Sequence, residues 1–167
     1  MGRSNAWGEL VYRPLARPWG SALDLFRFAG AWAPAPEHVQ FGWGAEDGER
    51  LCGALVAERA GSFGMLHGPV VVAPPDASPE AALDVATELL EAALRHATAQ
   101  GIDTVVTRPQ GLDRLWVRQG FIPVPEVELP TAFRGRPGLG LFGWRGGTAL
   151  WSSAGRATPR ARPLTPR

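Results

Sequence analysis

The chain has 167 residues, of which 45% are hydrophobic and 20% charged, so it can bury the core of one domain. Its lone cysteine, Cys52, excludes an internal disulfide and a multi-cysteine metal site. The three histidines are widely spaced and give no ligand-like pair, so we predict no metal.

Positive charge collects at the C-terminal end, because residues 129–167 carry seven Arg and no acidic residue. Such an end could contact nucleic acid. However, all 17 basic residues are Arg, which indicates a GC-rich coding bias. The signature of a nucleic-acid-binding fold is also missing, and we expect no nucleic acid as a partner. No segment has the apolar length of a signal peptide or a membrane span, so we expect a cytoplasmic protein that does not act at a membrane.

The predicted elements begin with a short strand and a helix. "ELVYRPL" (Glu9–Leu15) has a β-prone centre that Pro14 ends. In "SALDLFRFAGAW", Ser21 is a good N-cap with Asp24 three residues later. The i, i+3, i+4, i+7 spacing predicts a helical face made of Ala22, Leu25, Phe26 and Ala29.

A meander of three strands follows. "VQFGWGA" and "RLCGALVAER" flank Asp47-Gly48, which favours a hairpin turn because both residues tolerate positive φ. A second turn at residues 60–62 leads into "FGMLHGPVVVAP". The apolar run at 70–72 is typical of a strand that is buried on both faces.

The longest predicted helix is "EAALDVATELLEAALRHATAQ", with Ser78 as its N-cap, Pro79 at its first position and Gly101 at its C-terminal stop. "IDTVVTR" is then a buried strand. Strand, long helix and strand form a crossover unit, so Val70–Ala73 and Thr104–Thr107 are predicted to run parallel in one sheet.

The last predicted elements are a short helix around Asp113–Gln119 and two strands, "FIPVPEVEL" and "GLGLFGWRG". Two prolines two residues apart remove amide donors from one side of the first of these strands, so we place Phe121–Leu129 at a sheet edge. We predict one domain over residues 1–150. Residues 151–167, with three Pro and four Arg, are predicted to be a disordered basic tail.

Two short motifs and the element order resemble the GNAT superfamily of N-acetyltransferases. In "RLWVRQGF", Leu115, Gly120 and Phe121 match the family's late motif, a short helix that leads into the sixth strand, and Trp116 stands where the family usually has Tyr. The V-x-P motif at residues 72–74, before the long helix, also agrees.

The resemblance implies an α/β (α+β) fold with a mixed central sheet of six to seven strands and a βαβ crossover around one long helix. In this family the fourth and fifth strands splay apart, and the pantetheine arm of acetyl-CoA lies in the gap. The pyrophosphate rests on backbone amides before the long helix. Acetyl-CoA is therefore implied as co-substrate, held by the residues at the matching positions: Val70, Val71, Val72, Ala77, Ser78, Ala82 and Trp116.

Three positions depart from the family's pattern. Ala77 replaces a positive or polar anchor, and Glu80 places a carboxylate where a glycine would receive the diphosphate, a repulsion of about 1 kcal/mol or more. Trp116 has only a weakly acidic indole N–H in place of a Tyr hydroxyl that can act as general acid. A bulky aromatic that covers the core is the simpler interpretation of Trp116.

Two residues are candidates for the general base. His67 lies near the position on the fourth strand where many family members carry a carboxylate, and a histidine pKa can sit near neutrality. Glu58, at the end of the preceding strand, is the second candidate. The non-catalytic interpretations are a histidine at a strand entrance and a solvated turn residue.

The resemblance implies an acyl-CoA-dependent N-acetyltransferase in which a small-molecule or peptide amine attacks the thioester directly. Two alternatives stay open. A degenerate GNAT-like binding or scaffold domain is favoured by Ala77, Glu80 and Trp116. The second alternative is that "HGPVVVAP", followed by a helix without the glycine loop, resembles the Fem-type aminoacyltransferases. Those enzymes take the acyl group from charged tRNA, and they generally combine two such domains.

Overall fold

The computed structural model describes residues 7–109, 111–136 and 148–152, which form a mixed seven-stranded sheet with helices on both faces. The strands in chain order are β1 (Leu10–Pro14), β2 (Phe41–Asp47), β3 (Arg50–Ala60), β4 (Phe63–Val71), β5 (Thr104–Thr107), β6 (Ile122–Val124) and β7 (Thr148–Ser152). The helices are α1 (Gly20–Phe28), α2 (Pro79–Ala99) and α3 (Asp113–Arg118). The α/β class, the mixed sheet and the long helix predicted from the sequence are confirmed.

The spatial order of the strands is β1-β2-β3-β4-β5-β7-β6, and β4 and β5 are the parallel pair. β6 lies at the edge, as its two prolines predicted, but the strand ends at Val124 and a 3-10 turn follows at Glu126–Glu128. The predicted strand "GLGLFGWRG" lies outside the described residues. β7 continues through Ser152, two residues into the segment predicted as a tail, and the rest of that segment is also outside the described residues.

The beginning of α2 is a local structure that the sequence predicts correctly. The Ser78 side chain accepts a hydrogen bond from the Ala81 amide at 3.1 Å, and Pro79 occupies the first helical position, where its missing amide costs no hydrogen bond. Gly101 ends the helix with a φ of 77°, which favours glycine. Within the described residues, no helix is long and apolar enough to cross a membrane.

The start of α1 differs from the prediction. The helix begins at Gly20 rather than after Ser21, and its N-cap is Trp19, which adopts a left-handed conformation (φ 68°) without a side-chain hydrogen bond. Trp19 is buried together with Ala22 and Phe26, so tertiary packing outweighs the local capping preference of Ser21. Burial of Phe26 alone is worth about 1.5–3 kcal/mol.

β3 divides its side chains between the two faces of the sheet. Leu55 and Ala57 pack on the α2 side with Leu90, whereas Val56 packs on the α1 side with Phe26. Because side chains alternate along a strand, the next residue on the α1 side is Glu58.

β4 and β5 run parallel in one sheet, as predicted, and the first half of β4 makes the pairing. β5 pairs with Phe63–Leu66, not with Val70–Ala73. Sequence patterns identify strands but do not fix their register when a long helix separates them. Within the described residues the pairing ends at Leu66–Thr107, so the rest of β4 separates from β5.

A β-bulge lies in β4 directly after His67. Val56 pairs with His67 and Ala54 with Val70, so Gly68 and Pro69 together oppose one residue of β3. The bulge resets the alternation, and Val70 consequently packs on the α1 side.

Gly68→Ala is expected to lower the free energy of unfolding by about 2–4 kcal/mol. Gly68 has a φ of 91°, and a Cβ there would lie 3.0 Å from the Ala54 carbonyl oxygen and 3.0 Å from the Phe26 ring. Gly120→Ala is the matched control, because Gly120 has a φ of 78° and open space around its Cβ position. It should lose only about 1 kcal/mol. Equal losses in denaturant unfolding would contradict this account of the bulge.

Candidate active site

A buried polar cluster lies where β4 and β5 separate. Among the described residues, the buried polar side chains are Glu58, His67 and Thr107, and Glu58 and His67 are only 4% and 3% exposed. The Thr107 hydroxyl donates to the Leu66 carbonyl at 2.9 Å. These two residues are the last pair in the β4–β5 pairing. His67 is the next residue of β4.

Both predicted base candidates belong to this one cluster. The Nε2 atom of His67 lies 2.7 Å from Oε2 of Glu58. The interpretation of Glu58 as a solvated turn residue is wrong, since the hairpin continues to Ala60 and leaves Glu58 inside the sheet. His67 likewise lies in the interior of β4, not at its entrance.

Arg136 is a member of the cluster that the sequence did not indicate. Its Nη2 donates to Oε1 of Glu58 at 2.6 Å and its Nε donates to Oε2 at 3.2 Å. The Trp32 ring covers the group, with its centroid 5.2 Å from the His67 ring and 5.5 Å from the guanidinium of Arg136.

The charges in the cluster follow from these contacts. Burial alone raises the pKa of Glu58, but hydrogen bonds from His67 and Arg136 outweigh burial, and the pKa lies below its usual value. Burial lowers the pKa of His67, and the opposing effect of Glu58 does not fully offset it. Near neutral pH the cluster therefore holds an ionised carboxylate, a guanidinium and a neutral imidazole.

This arrangement fixes what His67 can do. An ionised Glu58 can only accept hydrogen bonds, so the proton of the neutral imidazole must lie on Nε2. The lone pair is then on Nδ1, which is the ring nitrogen that can accept a proton. The pair has the chemistry of a general base with an orienting carboxylate.

The predicted cofactor residues on β4 and beyond it take different places. Val70 is buried beneath α1. Val71 is half-buried and packs on the α2 side. Val72 follows the end of β4 and its amide donates to the Cys52 carbonyl at 2.8 Å, which continues the sheet on the β3 side.

The remaining predicted cofactor residues lie near the beginning of α2 or in the core. Ala77 and Ala82 pack against a cluster around Trp7. Trp116 is 1% exposed, stacks edge-on against Phe121 at 4.9 Å between ring centroids, and donates its indole N–H to the Gly111 carbonyl. Its ring is therefore part of the core, and its indole N–H is already bonded.

A groove of about 1070 Å³ surrounds the N-terminal half of α2. Of the predicted cofactor residues, Ser78 lines it. Its charged lining residues are five carboxylates and two guanidiniums, from Asp76, Glu80, Asp84, Glu88, Asp113, Arg114 and Arg118. The groove adjoins α2, whereas Glu58 and His67 lie on the α1 side of the sheet.

The backbone before α2 fits a diphosphate poorly. Pro79 has no amide proton, the Ala81 amide donates to the Ser78 side chain, and the Ala77 amide donates to the Pro74 carbonyl at 3.0 Å. Glu80 adds a negative charge in the same turn. The donors that would bind phosphate oxygens at a helix N-terminus are therefore largely used within the chain.

Comparisons with solved structures show a common fold. An acetyltransferase of the GNAT family from Staphylococcus aureus aligns with a TM-score of 0.61 and 10% identity over 87% of this chain and 99% of that chain. A GNAT family N-acetyltransferase from Escherichia coli, solved with CoA, aligns with a TM-score of 0.58 and 13% identity over 87% of this chain and 82% of that chain.

N-acetylglutamate synthase from Neisseria gonorrhoeae, solved with coenzyme A and L-arginine, aligns with a TM-score of 0.60 and 14% identity. The alignment covers 86% of this chain but only 33% of the synthase, so the chain spans about a third of that protein's length. No protein-family model and no curated protein matches the sequence. At these low identities the similarity shows the fold alone, and this chain adopts the fold of those GNAT-family acetyltransferases.

Proposed function

We propose that this protein is an acyl-CoA-dependent N-acyltransferase that uses His67 as general base. The observation that carries the proposal is the His67–Glu58 pair, held at 2.7 Å at the point where β4 and β5 separate. Two structural neighbours were solved with coenzyme A, which supports the same class of acyl donor.

Bound acyl-CoA would supply the thioester carbonyl that an amine attacks. The amide C–N bond would form as the thioester C–S bond breaks, and CoA would leave as its free thiol after taking up a proton. The protein's part is to take the proton that the amine loses, and Nδ1 of His67 is the atom that receives it. Glu58 orients the imidazole through Nε2 and stabilises its charged form once the proton has arrived. Trp32 excludes water on one side, so these charges interact in a medium of low dielectric constant.

The separation of β4 and β5 supports a route between the two faces of the sheet. The groove borders α2 on one face, and the base lies on the other. An extended thioester arm can cross the sheet only where its strands are not hydrogen-bonded, and the described pairing of β4 with β5 ends at Leu66–Thr107. His67 directly follows that point.

The poor fit before α2 requires a different phosphate site from the one the resemblance implies. Arg114 and Arg118 lie four residues apart on α3, so they project from one face of the helix, and both line the groove. Guanidinium groups bind phosphate oxygens in bidentate geometry. We place the diphosphate against α3, in the same groove that Glu80 lines.

Glu80→Gln is expected to tighten acyl-CoA binding about five-fold, because it removes roughly 1 kcal/mol of repulsion from the groove. The measurement is a calorimetric titration with acetyl-CoA. Glu91→Gln is the matched control, since it removes the same charge from α2 at a position that does not line the groove. Weaker binding in Glu80→Gln, or the same gain in both variants, would contradict the prediction.

A second candidate function is a binding domain that has lost acyl transfer. The capped amide of Ala81 and the acidic residues of the groove favour it, because both oppose a polyanionic ligand. The deciding experiment incubates the full chain with acetyl-CoA and a panel of primary amines and follows free thiol. Amine-dependent thiol release supports the enzyme, and its absence for every amine supports the binding domain.

A further inference from the structure

Arg136 binds Glu58, the carboxylate partner of the candidate base, at two points. Both oxygens of Glu58 accept hydrogen bonds from its guanidinium, at 2.6 and 3.2 Å, which is the bidentate geometry of a strong ion pair. The Arg136 side chain is 22% exposed and that of Glu58 only 6%, so much of the pair is shielded from water.

We propose that Arg136 is a positioning residue for the candidate base: bound to both oxygens of Glu58, its positive charge opposes that of the carboxylate and helps to keep His67 an uncharged imidazole while the two remain hydrogen-bonded. The inference rests on the proposed function, since it explains how the base keeps the lone pair that it needs. His67 and Glu58 touch each other directly, and Arg136 acts on His67 from its place on Glu58.

The reason is electrostatic. A buried carboxylate 2.7 Å from an imidazole, without any other partner, would favour the protonated ring. A protonated imidazole has no lone pair and cannot accept the proton of an amine. In the described part of the chain, the charged groups that face His67 are Glu58 from β3 and Arg136, while Trp32 contributes an uncharged ring. The charge of Arg136 opposes part of the effect of Glu58, and burial, the largest effect, then favours the neutral imidazole.

The test is an NMR titration of the ring nitrogens in isotopically labelled protein, with the His67 signal identified from the His67→Gln variant. Arg136→Gln should raise the pH at which His67 titrates by about one unit or more, because Glu58 keeps its charge and loses the compensating cation. Arg136→Lys, which retains a positive charge, should give a smaller shift. Arg134→Gln is the matched control, since Arg134 donates to the carbonyls of Val127 and Leu129 and should leave the titration of His67 unchanged.

A second arm keeps the test decisive if Arg136→Gln does not fold. The double variant Glu58→Gln/Arg136→Gln replaces the ion pair with two uncharged amides of similar size. The reference for this double variant is Glu58→Gln alone, so that the two proteins differ only in the charge of residue 136. If Arg136 opposes the protonation of His67, the double variant should titrate at a higher pH than Glu58→Gln. Equal titration of His67 in these two variants would mean that the charge of Arg136 has no effect on the imidazole, and it would overturn the proposal.

The titration needs no substrate, so it separates this inference from the proposed function. An unchanged His67 titration in folded Arg136→Gln would show that Arg136 only stabilises the fold. Absence of acyl transfer in the wild type, with the upward shift present in Arg136→Gln, would instead remove the proposed function while the electrostatic role of Arg136 stands.

Discussion

His67→Gln is expected to lower the rate of acyl transfer by about 10²–10⁴-fold while acyl-CoA binds with unchanged affinity. Glutamine can still donate a hydrogen bond to Glu58, but it offers no nitrogen that can take a proton near neutral pH. The measurements are kcat from thiol release and Kd from calorimetry. The two quantities separate loss of the base from loss of the binding site.

His96→Gln is the matched control for this variant. His96 lies on α2 and stacks on Phe41 at 4.5 Å between ring centroids, away from the cluster. Its replacement should leave kcat within about two-fold of the wild type, as expected of a residue outside the reacting groups. If His67→Gln turned over as fast as His96→Gln, His67 would not be the base.

The pH profile of the wild type gives the same residue a second test. Burial places the pKa of His67 below its ordinary value of about 6.5, so the imidazole is neutral and competent above that pH. We expect kcat/KM to stay level down to about pH 6.5 and to fall only in more acidic solution, as His67 gains a proton. A base with a raised pKa would lose activity already above neutrality, which is the opposite result.

Glu58→Ala is expected to lower the free energy of unfolding by about 3–5 kcal/mol, the largest loss of stability that we predict. The change leaves the guanidinium of Arg136 without its carboxylate and removes the hydrogen-bond partner of the buried His67. Breaking a buried ion pair from one side costs more than the pair itself contributes, because the remaining charge stays in a poorly solvated place.

Glu46→Ala provides the matched control. Like Glu58, Glu46 lies on a strand of the sheet and its carboxylate pairs with an arginine. The Arg13–Glu46 pair, at 2.9 Å, lies nearer the surface, with the Arg13 side chain 53% exposed. Its loss should cost less than about 1 kcal/mol. The measurement is denaturant unfolding of the two variants. Similar losses in the free energy of unfolding would show that the Glu58 cluster is not the buried network described above.

Local signals explain the elements that the sequence predicted well. Ser78-Pro79 and Gly101 fix the ends of α2 through hydrogen bonds and backbone angles that involve only neighbouring residues. Trp19 shows the limit of such signals. It is the N-cap of α1 because its ring is buried in the core, although it offers no side-chain hydrogen bond to the helix. The register of β4 against β5 is another non-local property. The bulge at Gly68 likewise shifts the register of β4 against β3 in a way that no periodicity shows.

Part of the site could have been predicted in more detail. The turn at Gly61 pairs Ala60 with Phe63, and counting back along the hairpin places Val56 opposite His67 and Glu58 on the same face. The spatial proximity of Glu58 and His67 could therefore have been predicted from the sequence alone. Arg136 was beyond such reasoning, because it is 78 residues from Glu58 and follows short turns without periodic structure.

The most direct test of the account is a calorimetric titration of the full chain with acetyl-CoA, desulfo-CoA and ADP in parallel. We expect acetyl-CoA and desulfo-CoA to bind with a Kd between about 1 μM and 1 mM, and ADP to bind at least about ten-fold more weakly. That order would mean that the pantetheine arm enters the gap between β4 and β5. Equal affinity for all three would place the contacts on the nucleotide alone, and absence of binding by any of them would contradict acyl-CoA-dependent transfer at His67.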